Sequence, residues 1–246
     1  MLVLLPPSET KRDGGDASAP LDLGALSFPG LTGQRRASIA AVKKLSRNIG
    51  DSSAALGLGT TQRFEIDRNR ALSTAPTMPA IDRYTGVLYE GLASETLDAA
   101  AHAWLGAHVV VHSALFGLLG AHDPVPAYRL SHDSRVPGLA LRAHWAAAVA
   151  AELANRDGLV LDLRSEAYAH LGPRPAGSFY LKVVTDAPGG LKRALNHFNK
   201  KGKGEFVRAL AENGEDFVDV AALLAWAAGT GIQLEHGAEG ELQLTV

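Results

Sequence analysis

The chain has 246 residues, 46% of them hydrophobic and 20% charged, with 24 Lys+Arg against 26 Asp+Glu for a formal net charge of −2 at pH 7. That composition supports a substantial core and excludes general disorder. It also confines any polyanion-binding surface to a local basic patch. The absence of Cys excludes disulfides, thiolate catalysis, thiol-based peroxide sensing and Cys-ligated metals.

Leu2–Leu5 is a continuous apolar run stopped by Pro6-Pro7, which predicts a strand covered on both faces. It is too short for a signal-peptide core, and no uncharged apolar run approaches the roughly 20 residues of a membrane span. A cytoplasmic location with no membrane partner is the expectation. Residues 8–23, rich in Gly, Asp, Ser and Pro, predict a polar loop. Ile39, Val42, Leu45 and Ile49 then recur at helical spacing in a basic helix carrying Lys43, Lys44 and Arg47. Gly57 and Gly59 follow. They suit the tight turn of a helix–hairpin–helix element near residues 36–70, although on spacing alone a glycine-closed helix end is the favoured reading.

A helix is predicted over 94–106, with Leu97, Ala101, Trp104 and Leu105 inward, then a central strand at 109–111. Leu141, Trp145, Val149 and Leu153 mark an amphipathic helix ending near Asp157-Gly158, and 159–163 reads as the next buried strand. Residues 179–185 and 191–198 flank Ala187-Pro188-Gly189-Gly190, a predicted hairpin connection. Val207 and Leu210, then Phe217, Val220, Leu224 and Ala227, predict late helices stopped by Gly229 and Gly231. Ile232 and Leu234 against Leu242, Leu244 and Val246 predict a terminal strand pair. No repeat or linker divides the chain, so residues 1–246 read as one α/β domain with a mixed central sheet covered by helices.

Four apolar strands lead into polar residues, the place where open sheets bind ligands. Leu2–Leu5 leads to Ser8, Glu9, Thr10 and Lys11; 109–111 to Asp123, Tyr128 and Arg129; 159–163 through Asp162 to Arg164, Ser165 and Tyr168. The fourth strand, ending at Phe198, leads to Asn199, Lys200 and Lys203. If these ends converge, they form a cleft of acids, hydroxyls and cations suited to an anionic ligand. Each piece has a structural alternative. Arg129 and Arg164 could pair internally with Asp123 and Asp162, Tyr128 and Tyr168 could be core residues with satisfied hydroxyls, and Lys200, Lys201 and Lys203 could be a solvated turn. His102, His108, His112, His122, His132 and His144 show no ligand spacing, so no metal or cofactor is expected. GxGxxG, GxxxxGK[ST] and GxSxG are all absent.

Taken in order, these segments resemble the YaaA family of peroxide-stress proteins. The resemblance rests on Leu2–Leu5 with Pro7-Ser8-Glu9-Thr10-Lys11, on Tyr84-Thr85-Gly86-Val87-Leu88-Tyr89 with Gly91-Leu92, and on the run from Ser113 through Leu119 with Asp123 and Tyr128-Arg129-Leu130. Trp145, Asp162-Leu163-Arg164-Ser165 with Tyr168, and His197-Phe198-Asn199-Lys200 with Lys203, Gly204 and Arg208 complete it. Gly120-Ala121-His122 departs from an Arg-Pro pair, Glu9 from a Lys found in some relatives, and Lys201-Gly202 from the usual late motif. The resemblance implies a role in limiting peroxide damage, linked to iron homeostasis and to binding double-stranded DNA through a basic cleft and a helix–hairpin–helix.

Two functions follow as expectations. The first is a monomeric stress protein whose Lys43, Lys44, Arg47, Lys200, Lys201, Lys203 and Arg208 contact duplex phosphates without sequence preference. The second is an enzyme acting on a small anionic or nucleotide-like substrate. There Glu9, Asp123 or Asp162 would supply acid–base function, while Arg129, Arg164, Lys200 and Lys203 hold the anion. Iron sequestration by the protein itself is disfavoured, since paired Glu-x-x-His sequences are missing.

Overall fold

The computed structural model describes residues 1–154, 156–187, 191–194 and 198–246. The chain opens with β1 (Leu2–Leu5) and a long polar loop, then three helices, α1 (Thr32–Leu45), α2 (Ile49–Leu56) and α3 (Phe64–Arg70). The short strand β2 (Met78–Pro79), α4 (Ala80–Arg83), α5 (Val87–Leu92) and α6 (Ala99–His108) lead to β3 (Val109–Ser113), β4 (Gly117–Gly120) and β5 (Pro124–Val125). Next come α7 (Leu141–Ala154), β6 (Val160–Asp162), α8 (Glu166–Leu171), β7 (Phe179–Ala187) and β8 (Leu191–Ala194). The chain closes with α9 (Phe198–Asn213), α10 (Val220–Thr230), β9 (Leu234–His236) and β10 (Glu241–Thr245).

The main sheet has eight strands in the order β4-β3-β1-β6-β7-β10-β9, with β8 pairing off β7. β3, β1, β6, β7 and β10 run parallel, while β4, β8 and β9 join antiparallel. Full burial of β1, β3 and β6 means that both sheet faces are covered, as the apolar runs at these positions require. Helices α5, α6 and α9 pack together in one group, and α7 and α8 in another. Leu141, Trp145, Val149 and Leu153 are all buried on α7, as their spacing predicted.

Several boundaries differ from the sequence reading. The helix predicted over 94–106 is a 3-10 turn at Ser94–Thr96 followed by α6 from Ala99, because Asp98 caps a new start by accepting from Ala101 N. The basic helix ends at Leu45, and Ile49 starts α2 with 47% exposure instead of facing the core. Asn48 is the reason: its side chain accepts from Asp51 N at 3.1 Å and caps the new helix. Gly229 lies inside α10, and Gly231, at φ 79, is the cap that ends it. Phe198 begins α9 and does not end a strand, so Asn199, Lys200 and Lys203 are helical. Pro188, Gly189, Gly190 and His197 lie outside the described residues.

Candidate functional site

Parallel pairing sets the carboxyl ends of β1, β3 and β6 side by side, with Leu5 opposite Val111 and Leu4 opposite Asp162. The chain order reverses here: β1 is followed by β3 on one side and then by β6 on the other. Such a switch point opens a crevice at the strand ends. Past β1 the chain turns at Pro6-Pro7, where the Tyr89 hydroxyl donates to Pro6 O at 2.9 Å, and then bridges to Tyr84 through Lys11.

Lys11 is 6% exposed. Its ammonium donates to the Ser8 carbonyl at 3.0 Å and the Glu9 carbonyl at 3.3 Å. It sits 4.2 Å from the ring centroid of Tyr128 and 5.4 Å from that of Tyr84, a favourable cation–π arrangement. Burial nevertheless pushes its pKa down to about 7, against the raising effect of Glu9 and Glu65 and with the lowering effect of Arg129 and Arg68. On the rim, the Thr85 hydroxyl donates to Thr10 Oγ1 at 2.9 Å, and Thr10 and Ser8 hydroxyls lie 3.3 Å apart.

A chain of buried hydroxyls runs beneath. Ser113 Oγ accepts from Leu115 N and Phe116 N, both at 3.1 Å, so its own proton goes to Tyr128 Oη at 2.6 Å. Tyr128 then donates to Tyr84 Oη at 2.8 Å. Burial raises both tyrosines, Tyr84 to about 12 and Tyr128 well above its ordinary value, and Tyr168 likewise. All three phenols are therefore protonated donors at neutral pH.

At the mouth, Arg129 Nη1 and Glu9 Oε2 stand 3.2 Å apart. Arg129 is fixed by Asn69, which accepts from Arg129 N and donates to Arg129 O, both at 2.8 Å. Although the charges are close, Glu9 Oε2 and Arg129 Nε find no hydrogen-bond partner among the described residues. The internal partner offered as an alternative for Arg129 was Asp123, and the structure gives it Glu9 instead. Antiparallel β4 carries Asp123 to the opposite, amino end of β3. There its carboxylate accepts from Ser27 N, Ser27 Oγ and Gly120 N at 2.7–3.0 Å. It is a loop anchor remote from the crevice.

Asp162 and Arg164 are both fully buried and locked together. Arg164 donates twice to the carboxylate at 2.7 and 2.8 Å, and also to Gly172 O and His112 Nδ1 at 2.8 Å. Because the guanidinium has no lone pair to offer, His112 Nδ1 must be the acceptor and its proton sits on Nε2. Burial and the adjacent Arg164 hold His112 well below its usual pKa, neutral. This pair is the internal alternative, so Asp162 and Arg164 are scaffold and not ligand-facing groups.

The late cations separate. Lys203, 4% exposed, donates to Leu163 O at 3.0 Å and lies 5.1 Å from the Tyr180 ring centroid. Burial lowers its pKa to about 8 against the pull of Asp162 and Glu166. Asn199, one helical turn earlier on α9, carries an Oδ1 with no partner among the described residues. Lys200 is exposed. Arg208 donates to Leu92 O and Ala93 O, both at 3.2 Å, and to Thr96 Oγ1 at 2.6 Å, closing α5 where Ala93 takes φ 45. Ser165 caps α8, accepting from Tyr168 N at 3.4 Å.

Lys11 and Tyr128, which the sequence reading placed after different strands, meet here, while Tyr84, Ser113, Asn69 and His112 were not singled out as polar centres. The Ser that ends β3 was the available signal. Elsewhere, Gly57 closes α2 in the left-handed region at φ 63, and Gly59 is extended and opens a short turn before α3. Near it, exposed Lys44 and Arg47 with Arg135 and Asp51 line a cavity of about 580 Å³. Lys43 donates to Ser73 Oγ at 3.0 Å. No helix of the described residues is long and apolar enough to cross a membrane.

The sequence pattern of the family described as "Peroxide stress protein YaaA" matches residues 1–229. A UPF0246 protein of Corynebacterium efficiens is 40% identical over the whole of both chains. One from Streptomyces coelicolor is 44% identical across 87% of this chain and 84% of its own. An uncharacterized protein of Campylobacter jejuni is 27% identical across 87% of this chain and 85% of its own. With the match spanning the strand-end motifs and the sheet that unites them, the chain belongs to the peroxide stress protein YaaA family.

Proposed function

We propose that this protein serves the peroxide-stress response by binding a small anionic, nucleotide-like ligand in the crevice formed by the carboxyl ends of β1, β3 and β6. The observation that carries this is the mouth of the crevice. Arg129 and Glu9 face each other with unpaired hydrogen-bonding atoms, directly beside a buried amine. Buried hydrogen-bonding atoms without a partner are costly unless a ligand completes them. Arg129 supplies the anion-binding fork, and the Ser8, Thr10 and Thr85 hydroxyls supply the rim. Glu9, with Lys11, supplies the acid–base pair if chemistry follows. The test is a thermal-shift series with inorganic phosphate, nucleotides and carboxylate metabolites. Stabilisation by at least one class, lost in Arg129→Ala with the unliganded melting temperature nearly unchanged, is expected. No shift from any of them overturns the proposal.

Duplex DNA is the second reading, and one observation favours it: exposed Lys44 and Arg47 gather with Arg135 near the glycine turn between α2 and α3. These side chains suit phosphate contacts without base readout. Lys203 and Arg208 do not join them, since one is buried and the other caps α5. Binding at low salt that weakens steeply on salt addition, and that Lys44→Ala/Arg47→Ala halves or worse, is the expected outcome. Binding indifferent to that double substitution would assign any DNA contact elsewhere.

A further inference from the structure

Lys11 has more to it than a cation that fastens a loop. We propose, resting on the anion site above, that Lys11 is a nucleophilic amine that forms an imine with a small aldehyde or ketone carrying a negative charge. Three arrangements support it. The amine lies among the rings of Tyr84 and Tyr128 and two backbone carbonyls, shielded from water, the kind of desolvated setting that activates lysine. Burial leaves a large share of it neutral near pH 7, with Glu9 and Glu65 opposing and Arg129 and Arg68 assisting.

The hydroxyl chain has a defined direction. Two backbone N–H groups occupy Ser113 Oγ, so protons point from Ser113 to Tyr128 to Tyr84. Tyr84 ends this series, with its ring centroid 5.4 Å from the amine. A phenol O–H turned to the incoming carbonyl oxygen would stabilise the charge that oxygen gains. Arg129, with its unpaired Nε, holds the negative group of the same molecule.

The step balances without a co-reactant. The Lys11 nitrogen lone pair forms a bond to the carbonyl carbon, and the C=O π electrons move to oxygen. That oxygen departs as water with the two amine protons, leaving C=N. Tyr84 donates its hydrogen bond to the oxygen throughout and ends unchanged.

The test uses the full chain with pyridoxal 5′-phosphate as an anionic aldehyde probe, trapped with borohydride at pH 7.5 and mapped by peptide mass spectrometry. Lys11 should label at least roughly ten-fold faster than Lys44, Lys200 or Lys201, since an ordinary lysine is only about 0.1% neutral at that pH. Inorganic phosphate should slow Lys11 alone, and Tyr84→Phe should slow it several-fold without moving the exposed lysines. A lysine that merely fastened its loop, 6% exposed, would label last. Unlabelled Lys11 in folded wild-type protein overturns the proposal with no variant needed. If phosphate still raises the melting temperature through Arg129, the anion site stands and only the imine falls. If neither phosphate nor any nucleotide or carboxylate metabolite does, both fall.

Discussion

Asp162 and Arg164 show how one buried ion pair constrains the whole strand end. The guanidinium reaches a carboxylate, an imidazole and a carbonyl at once, so removing the acid leaves a buried charge with half its partners. Asp162→Ala should cost roughly 3–5 kcal/mol of stability in urea denaturation, while Asp162→Leu with Arg164→Met should recover much of it, because the uncompensated charge is then gone. Equal losses in both would place the cost in packing around His112 and Gly172. Glu9 and Arg129 are the opposite case. Their carboxylate is 43% exposed on the side chain, so the pair contributes little to stability.

At the scale of elements, α5 and α9 pack closely because glycine sits on both. A Cβ on Gly91 would lie 2.6 Å from Lys201 O, and one on Gly204 would meet Leu88 O and, at 2.8 Å, Leu92 N. Backbone atoms cannot swing aside as a side chain can. Gly204→Ala should therefore destabilise by about 1–3 kcal/mol and separate α5 from α9, loosening the Arg208 cap. Gly229, inside α10 with nothing within 4 Å of a built Cβ, is the control. Gly229→Ala should be neutral or stabilising by about 0.5–1 kcal/mol, since it removes only unfolded-state freedom. Thermal melts of both variants decide it.

For the molecule as a whole, two buried lysines set the pH dependence in the alkaline range. Lys11 is lowered from 10.5 to about 7 and Lys203 to about 8, so between about 7 and 10.5 the unfolded chain binds more protons than the folded one. Stability then rises with pH through that window. Lys11→Met should remove about 1.4 kcal/mol per pH unit of that slope between pH 8 and 10, as a single proton requires. The slope is read from denaturation midpoints across that pH range, and an unchanged slope would mean that Lys11 stays protonated in the fold. His112, held neutral, acts at the other end: the unfolded chain gains a proton below pH 6.5, and stability falls there.

Local information marked the buried strands β1, β3 and β6 and the long helices, but not β4 or the short helices α3, α4, α5 and α8. The apolar runs at β1, β3 and β6 and the four-residue spacing on α7 each express a burial pattern that neighbours in sequence reveal by themselves. Lys11 and Arg129 were visible as candidate binders because polar residues follow a buried strand. The pairings were not visible. Arg129 has Glu9 where Asp123 was the candidate internal partner, since antiparallel β4 carries Asp123 to the far end of the sheet, a matter of strand direction that no local pattern encodes. Lys203 is buried and Arg208 half-buried only because α9 packs on β7 and α5, and the Ser113–Tyr128–Tyr84 chain joins residues up to 44 apart. Charge and hydroxyl chemistry were written along the chain. Which groups are desolvated, which are paired and which are left open was decided by tertiary packing, because burial and hydrogen-bond geometry exist only once distant segments meet.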